Sequence, residues 1–500
     1  MGHAAYALDT WFPGESTGRR SDTLLFCLPY AGGSAVAFHG WRERLLPDVE
    51  CLPVHLPGRA GRVAESPTID VVELSRAVSH RAGGRPFALF GHSMGAKLAF
   101  EVARQLRRDA CALPIALFVG GSRPPHMDTP LTRIARLPDD EFAARVVAMG
   151  GTPTGLLDDA EMRGLLLPAL RADFAMVEAY RFRPEPPLPI PIVVLAGADD
   201  PEADPCDMTG WSMHTTTSTR LRTFAGDHFF VHSARSAVLA FVAQEITALR
   251  TTAAEPPTRS SSRLHQVGLA DLGDDEVLVV EARLDELADL SRASGELSPG
   301  EQRRAASITT QPDAVRFVAR TALLRRLLCA AGVNLGSAEL SRAPGGKPAI
   351  AHHSGLRFNA SHSRGRSLIA FSRGREVGVD VEPLSPALDV AALAAAALND
   401  EEREAIAGLA DDEVPAAILR TWTAKFAVLK AMGEPSAVAP TDFGFGARQR
   451  RPWRVDTPVG CERMFAWRVY HLEMSGAVGA LAIGSSDWRL RYDVIRGRDT

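Results

Sequence analysis

Four short apolar runs in the first half of the chain constrain its fold more than any other feature: T-L-L-F-C-L-P, P-F-A-L-F-G, I-A-L-F-V-G-G and I-P-I-V-V-L-A-G. Each is continuous rather than alternating, and each ends in turn residues. A strand that is apolar on both sides must be covered on both sides, so the runs imply a mostly parallel sheet between layers of helix. The fold class is therefore α/β. Between Pro124 and Pro184 the pattern is helical without strands, over Asp139–Met149 and Asp159–Ala179. An insertion of that kind, spanning about residues 124–184, is suited to act as a lid over a site at the sheet's edge.

At 500 residues the chain exceeds what one core supports. The clearest seam is T-T-A-A-E-P-P-T-R-S-S-S-R, where Pro, Ser, Thr and charge replace apolar periodicity just after a periodic helix, Ser236 to Leu249. The expected division is 1–250, a linker at 251–263, and 264–500. A net charge of −4 is small for this length, so no nucleic-acid partner held by charge is expected. The cysteines at 27, 51, 111, 206, 329 and 461 are scattered and form no Cys-x-x-Cys. That spacing suits a reducing compartment. No apolar run reaches membrane-spanning length and no targeting segment is apparent, so a cytoplasmic protein without a membrane partner is expected.

The run P-F-A-L-F leads into Gly91-His92-Ser93-Met94-Gly95 and then into a helical pattern over Ala96–Leu106. Small residues on both sides of Ser93 permit a strained strand-to-helix turn that lifts its hydroxyl above the sheet. A serine hydroxyl becomes a competent nucleophile when a histidine takes its proton and a carboxylate orients that histidine. Asp200 follows the strand I-V-V-L-A-G, with Asp199 as its near rival, and His228 follows the strand R-L-R-T-F-A. Ser93, Asp200 and His228 thus stand in the chain order of α/β-hydrolases. Backbone N–H groups must meet the developing oxyanion. Met94, after the nucleophile, is one expected donor. Ala31, in the glycine-containing loop P-Y-A-G-G-S, is the other.

On P-Y-A-G-G-S, L-P-G-R with Arg62 and Glu65, G-H-S-M-G-A-K-L-A-F-E, G-x-x-D-P and G-D-H-F-F, residues from about 20 to 248 resemble the type II thioesterases of nonribosomal peptide and polyketide synthesis. The resemblance implies hydrolysis of acyl-thioesters from the phosphopantetheine arms of carrier proteins, with no cofactor.

In the second half, Gly378-Val379-Asp380-Val381-Glu382 reads as a strand. Its period of two puts Asp380 and Glu382 on one face, spaced to share a cation, and Val379 and Val381 on the other. Oxygen-only ligands favour Mg²⁺ over zinc. F-N-A-S-H-S contributes Ser361 and His362, G-G-K-P contributes Lys347, and a helical pattern from Ala314 to Leu328 carries Arg316. A last helix, W-T-A-K-F-A-V-L-K-A-M-G, carries Lys425 and Lys430 along its edges. Either both lysines are solvated on a packing helix, or the helix faces a phosphate. An acidic pair with dispersed basic groups suits a multiply phosphorylated ligand.

Together G-K-P, F-N-x-S-H-S, G-V-D-V-E and W-T-x-K-x-A-x-L-K, from about Leu297 to Phe445, resemble the phosphopantetheinyl transferases that activate such synthases. The resemblance implies two similar α/β halves with coenzyme A as substrate. Asp380 and Glu382 would be Mg²⁺ ligands, and Arg316, Lys347, Ser361, His362 and Lys430 would be phosphate contacts. The family's site helix reads W-x-x-K-E-A, and Phe426 stands here in place of the glutamate. A phenyl ring neither binds a cation nor accepts a proton. Two retained acids could suffice, an acid from Asp411-Asp412-Glu413 could substitute, or the second half could bind without catalysis. The expected partners of both halves are carrier proteins, and a flexible tether would keep one half near the other's product.

Overall fold

The computed structural model describes residues 10–13, 21–127, 133–152, 155–254, 267, 269–333, 335–336, 338, 340–342, 348–350, 355–385, 389–433, 438–445, 453–455, 467–484 and 488–496. The chain forms two compact units, Met1–Thr217 with Arg222–Pro256, and Ser218–Leu221 with Pro257–Thr500.

The first unit is organised on β1 (Thr23–Leu28), β2 (Val49–Pro53), β3 (Phe87–His92), β4 (Leu117–Gly120), β5 (Ile192–Gly197) and the part of β6 (Thr219–Phe224) from Arg222 onward, in the order β6-β5-β4-β3-β1-β2. The pairs β1–β2, β1–β3, β3–β4 and β4–β5 are parallel. Every residue of β1, β3, β4 and β5 is buried, which is why those strands read as unbroken apolar runs. One face packs Cys27, Phe90, Phe118 and Leu195 against Phe230, Val238, Val242 and Ile246.

The helix carrying those last aliphatic residues is Arg235–Ala254, which continues through the first four residues of the expected linker. Two alanines favour helix there, and Pro256 is the first residue of the seam that cannot continue it. The inserted segment holds the helices Asp139–Ala148 and Ala160–Ala179. Phe142, Val146, Leu167, Leu170 and Phe174 give it a core of its own.

The second unit contains β7 (Glu276–Arg283), β8 (Ser341–Arg342), β9 (Pro348–Ala349), β10 (Leu356–Ser363), β11 (Arg366–Arg373), β12 (Val377–Pro383), β13 (Trp453–Val455), β14 (Trp467–Met474), β15 (Ala477–Ile483) and β16 (Arg489–Ile495). One sheet runs β10-β11-β7-β16 and the other β12-β15-β14-β13. The helix Gln311–Ala330 packs Ala322, Leu323 and Leu327 on the first sheet with Leu278, Val280 and Phe371. The helix Val414–Met432 packs Ala427, Val428 and Ala431 on the second with Val469, Ala480 and Ala482. The unit is thus two halves, each a largely antiparallel sheet under one long helix. A hydrogen bond of 3.0 Å from the Val379 N–H to Asn359 Oδ1 joins β12 to β10, bringing the strand of Asp380 and Glu382 beside that of Ser361 and His362. Among the described residues, no helix is long and apolar enough to cross a membrane.

Candidate active sites

The turn between β3 and the helix Met94–Arg108 places Ser93 at φ 56° and ψ −117°, outside the regions an L-residue ordinarily occupies. Close backbone approach holds it there. A Cβ on Gly91 would lie 2.0 Å from the Gly95 carbonyl oxygen, and one on Gly95 would lie 2.1 Å from that of Leu28. Only glycine fits at either place. The Ser93 N–H donates to the Gly120 carbonyl at 2.7 Å, locking the turn against β4.

Ser93 Oγ lies 3.0 Å from His228 Nε2, and His228 Nδ1 lies 2.9 Å from Asp200 Oδ2. A carboxylate can only accept, so Nδ1 carries the proton and Nε2 is free to take one from the serine. Asp200 Oδ1 accepts from the backbone N–H groups of Glu202 at 2.9 Å and Ala203 at 3.1 Å, which fixes the carboxylate's orientation. Asp200 rather than Asp199 therefore faces the imidazole. Burial disfavours the charged His228 ring, but the hydrogen bond and charge of Asp200, with Glu202 and Asp227, outweigh it and raise the pKa above the ordinary histidine value. His92 is a neighbour that sequence reasoning passed over. Its ring is fully buried and donates through Nε2 to the His228 carbonyl at 2.8 Å. Burial, then the His228 charge, hold His92 well below the usual histidine range, so it stays neutral and structural.

The other oxyanion candidates sit beside this serine's strand. Met94 is the first helical residue, so its N–H has no acceptor within the helix. In the loop after β1, the Gly33 N–H closes a tight turn onto the Tyr30 carbonyl at 2.8 Å, with Gly32 at φ 74°. Ala31 lies inside that turn.

In the second unit, β12 presents Asp380 and Glu382 on one side and buries Val379 and Val381 on the other. Asp380 Oδ1 accepts from Ser361 Oγ at 2.8 Å and from Lys430 Nζ at 2.6 Å, while Lys430 Nζ also donates to Ser361 Oγ at 2.8 Å. Glu382 Oε2 accepts from Ser363 Oγ at 2.7 Å. The helix bearing Lys430 can reach this strand because position 378 is glycine: a Cβ there would meet the Ala427 carbonyl at 2.0 Å.

Asp380 Oδ2 is buried with no hydrogen-bond partner among the described residues, and burial with the Asp380 charge raises the Glu382 carboxyl above the usual range. Both observations fit a hard cation held by these two acids, since a cation would satisfy the orphaned oxygen and favour ionised carboxylates.

His362 is pushed down to about 4 by burial and by the charges of Arg320 and Lys430. Arg320 is itself lowered to about 10, by burial and by Arg304. These basic groups gather where a polyanion would be stabilised. The resemblance points to Arg316, one helical turn before Arg320, and carries no signal for Arg320 itself. The Arg316 guanidinium is instead engaged by Asp285 at 2.7 and 3.0 Å and by Asp313 at 3.3 Å. Lys347 lies outside the described residues.

The two lysines of the last helix have different roles. Lys425 is fully buried and donates to Glu402 Oε2 at 2.6 Å and the Ala397 carbonyl at 2.7 Å. It is neither solvated nor directed to a phosphate. Glu402 also closes a capping box with Asn399 and accepts from the Phe445 N–H at 3.0 Å. Replacing Lys425 by Met should therefore leave a buried carboxylate unpaired and destabilise this unit by about 3–5 kcal/mol. Chemical denaturation followed by the fluorescence of its tryptophans checks this. A midpoint equal to that of the parent chain would contradict it.

Phe426 is half-buried and stacks on Trp422, with centroids 4.3 Å apart and planes inclined by 26°. Residues 411–413 do not replace the missing glutamate. Glu413 is the N-cap of the helix, and thirteen positions at 1.5 Å each put it about 20 Å along the axis from Phe426.

Comparison with known proteins finds a match within each unit. Residues 23–246 match the thioesterase domain family, and residues 376–484 match the 4'-phosphopantetheinyl transferase superfamily. The gramicidin S biosynthesis protein GrsT of Aneurinibacillus migulanus is 32% identical over 242 residues, which span 48% of this chain and 94% of that protein. The thioesterase PikA5 of Streptomyces venezuelae is 39% identical over 218 residues, 42% of this chain and 76% of that one. Among solved structures, the type II thioesterase BorB from the borrelidin biosynthetic cluster is 38% identical, with 47% of this chain and 97% of that chain covered and a TM-score of 0.43. The chain belongs to the type II thioesterase family through its first unit and carries a 4'-phosphopantetheinyl transferase superfamily domain in its second.

Proposed function

We propose that this protein maintains phosphopantetheine-bearing carrier proteins, its first unit hydrolysing acyl-thioesters from the arm and its second transferring the arm from coenzyme A to a carrier serine. The observation that carries the hydrolytic half is the hydrogen-bonded series Ser93, His228, Asp200. Ser93 Oγ attacks the thioester carbonyl carbon as His228 Nε2 takes its proton. The N–H groups of Ala31 and Met94 stabilise the oxyanion. Collapse breaks the carbon–sulfur bond, and His228 returns the proton to the departing thiolate. Water then attacks the acyl-serine with His228 again as base, releasing the carboxylic acid.

The base acts only when neutral, and its pKa lies above the ordinary value. Hydrolysis should thus be lost as pH falls through a value above about 6.5. Asp200→Asn, which removes the raising influence, should move that acidic limb of kcat/KM to lower pH. Initial rates across pH measure this, and an unmoved limb would separate the pH dependence from His228.

In the transferase half, Asp380 and Glu382 would hold Mg²⁺, whose charge when bound would offset that of the coenzyme A pyrophosphate. Lys430, Arg320 and His362 supply charge and hydrogen bonds for phosphate oxygens, and Ser361 orients Asp380 and Lys430. The free thiols at 27, 51, 111, 206 and 329 support placing the protein in the cytoplasm.

A second reading is favoured by one observation, the Phe426–Trp422 stack where an acid is expected. In that reading the second unit binds carrier protein or coenzyme A without catalysis. One experiment covers both. Apo carrier protein is incubated with the full chain, Mg²⁺ and an acyl-coenzyme A, and its mass is followed. The parent chain should yield carrier protein with the bare arm, and Ser93→Ala should accumulate the acylated arm. Carrier protein left in its apo form by both would establish the binding-only reading.

A further inference from the structure

The lid and the oxyanion loop meet at one buried ion pair that the reaction outlined above does not use. Asp173 on the helix Ala160–Ala179 is 1% exposed, and Arg59 of the L-P-G-R segment is 7% exposed. Arg59 donates to Asp173 Oδ2 at 2.5 Å and Oδ1 at 2.7 Å, and its Nη1 also donates to the Gly33 carbonyl at 3.2 Å. Asp173 Oδ2 in turn accepts from the Gly32 N–H at 2.7 Å. Carboxylate and guanidinium thus hold the Ala31–Gly32 and Gly33–Ser34 peptide groups, on either side of the Gly32–Gly33 peptide. Leu170, one turn before Asp173, lies over the same glycine: a Cβ on Gly32 would fall 2.2 Å from Leu170 Cδ2.

The consequence lies in which amide of the turn stays free. The Gly33 N–H is taken by Tyr30 and the Gly32 N–H by Asp173, so Ala31 alone of the three has no acceptor among the described residues. We infer that Asp173 is a positioning residue of the hydrolase: through Arg59 and the Gly32 amide it holds the loop so that the Ala31 N–H meets the oxyanion. The lid helix is then part of the catalytic geometry as well as a cover. Lifting it away at Asp173 would expose an unpaired charge and loosen the loop together. This rests on the hydrolytic reading above, with Ser93 as nucleophile and Ala31 as donor.

The test uses Asp173→Asn in the full chain, assayed on an acyl-thioester. Two ligands run beside it: an alkyl trifluoromethyl ketone, which forms a tetrahedral adduct with the serine, and an alkyl thioether, which cannot. Loss of loop geometry should lower kcat by about 10²-fold, the scale expected for a misplaced catalytic group. The ketone should weaken by a similar factor, while KM and thioether affinity change little. Asp173→Asn leaves the buried Arg59 without its ion-pair partner, so the double variant Arg59→Gln, Asp173→Asn is included. It carries no buried charge and keeps an acceptor for the Gly32 amide, and it should recover most of the ketone affinity.

If KM rises and both ligands weaken equally, Asp173 only fastens the lid and the inference fails. It also fails if the double variant folds stably yet binds the ketone no better than Asp173→Asn. Ser93→Ala separates this from the underlying reading. Hydrolysis that persists without Ser93 overturns both, whereas Ser93-dependent hydrolysis with an unchanged kcat in Asp173→Asn overturns the positioning role alone.

Discussion

Ser93→Ala should lower kcat for thioester hydrolysis by about 10⁶-fold, the scale found when the nucleophile of a serine–histidine–aspartate group is removed. The expectation follows from geometry. Ser93 is the residue whose hydroxyl faces His228 Nε2 at 3.0 Å, and its turn is held by backbone contacts that do not involve the hydroxyl. Alanine can occupy that turn with the same strain, so folding should be unaffected while the chemistry is lost. Asp200→Asn should cost less, about 10⁴-fold, because the imidazole persists in the wrong tautomer. Release of free thiol from an acyl-thioester gives both rates, and thermal unfolding checks that the variants fold. Comparable activity in Ser93→Ala would place the hydrolytic nucleophile elsewhere.

Phe426→Glu should increase phosphopantetheine transfer by about 10²–10⁴-fold, the range a positioned general base contributes. Phe426 and Lys430 are four residues apart on one helix, hence on the same face, and Lys430 meets Asp380 at 2.6 Å. A glutamate at 426 would therefore project from the face that already addresses the acidic strand. The substitution gives up a ring stack with Trp422, at a cost of about 0.5–1.5 kcal/mol, together with the packing of the half-buried Phe426 against the edge of the core, so thermal unfolding of the variant is measured alongside. Intact-mass time courses of apo carrier protein with coenzyme A and Mg²⁺ measure the rates. Adding Asp380→Ala to Phe426→Glu serves as the blank. Equal rates for the parent chain and Phe426→Glu would show that transfer here does not need an acid at this position.

Local period and residue order are legible in the chain before any packing is considered. Unbroken apolar runs specified β1, β3, β4 and β5 because burial on both sides leaves no room for alternation. The glycines around Ser93 signalled a turn that other residues would obstruct, and alternation in Gly378–Glu382 put two acids on one side of a strand. β2 escaped notice because Glu50 and Pro53 interrupt its pattern, although it pairs in register with β1.

What each of those faces meets depends on packing between distant segments. Asp200 faces His228 because the amides of Glu202 and Ala203 turn its carboxylate inward. Lys425 is buried on Glu402, an acid from another helix, whereas Lys430 on the same helix reaches Asp380. Arg316 is engaged by Asp285, from a distant segment, whereas the charge of Arg320 acts on His362. Asp173 and Arg59, 114 residues apart, carry no shared signal in the sequence. One cause underlies all of these. Periodicity selects the side of a helix or strand a residue occupies, but a buried charge is stable only beside its partner, and long-range packing alone determines which partner that is.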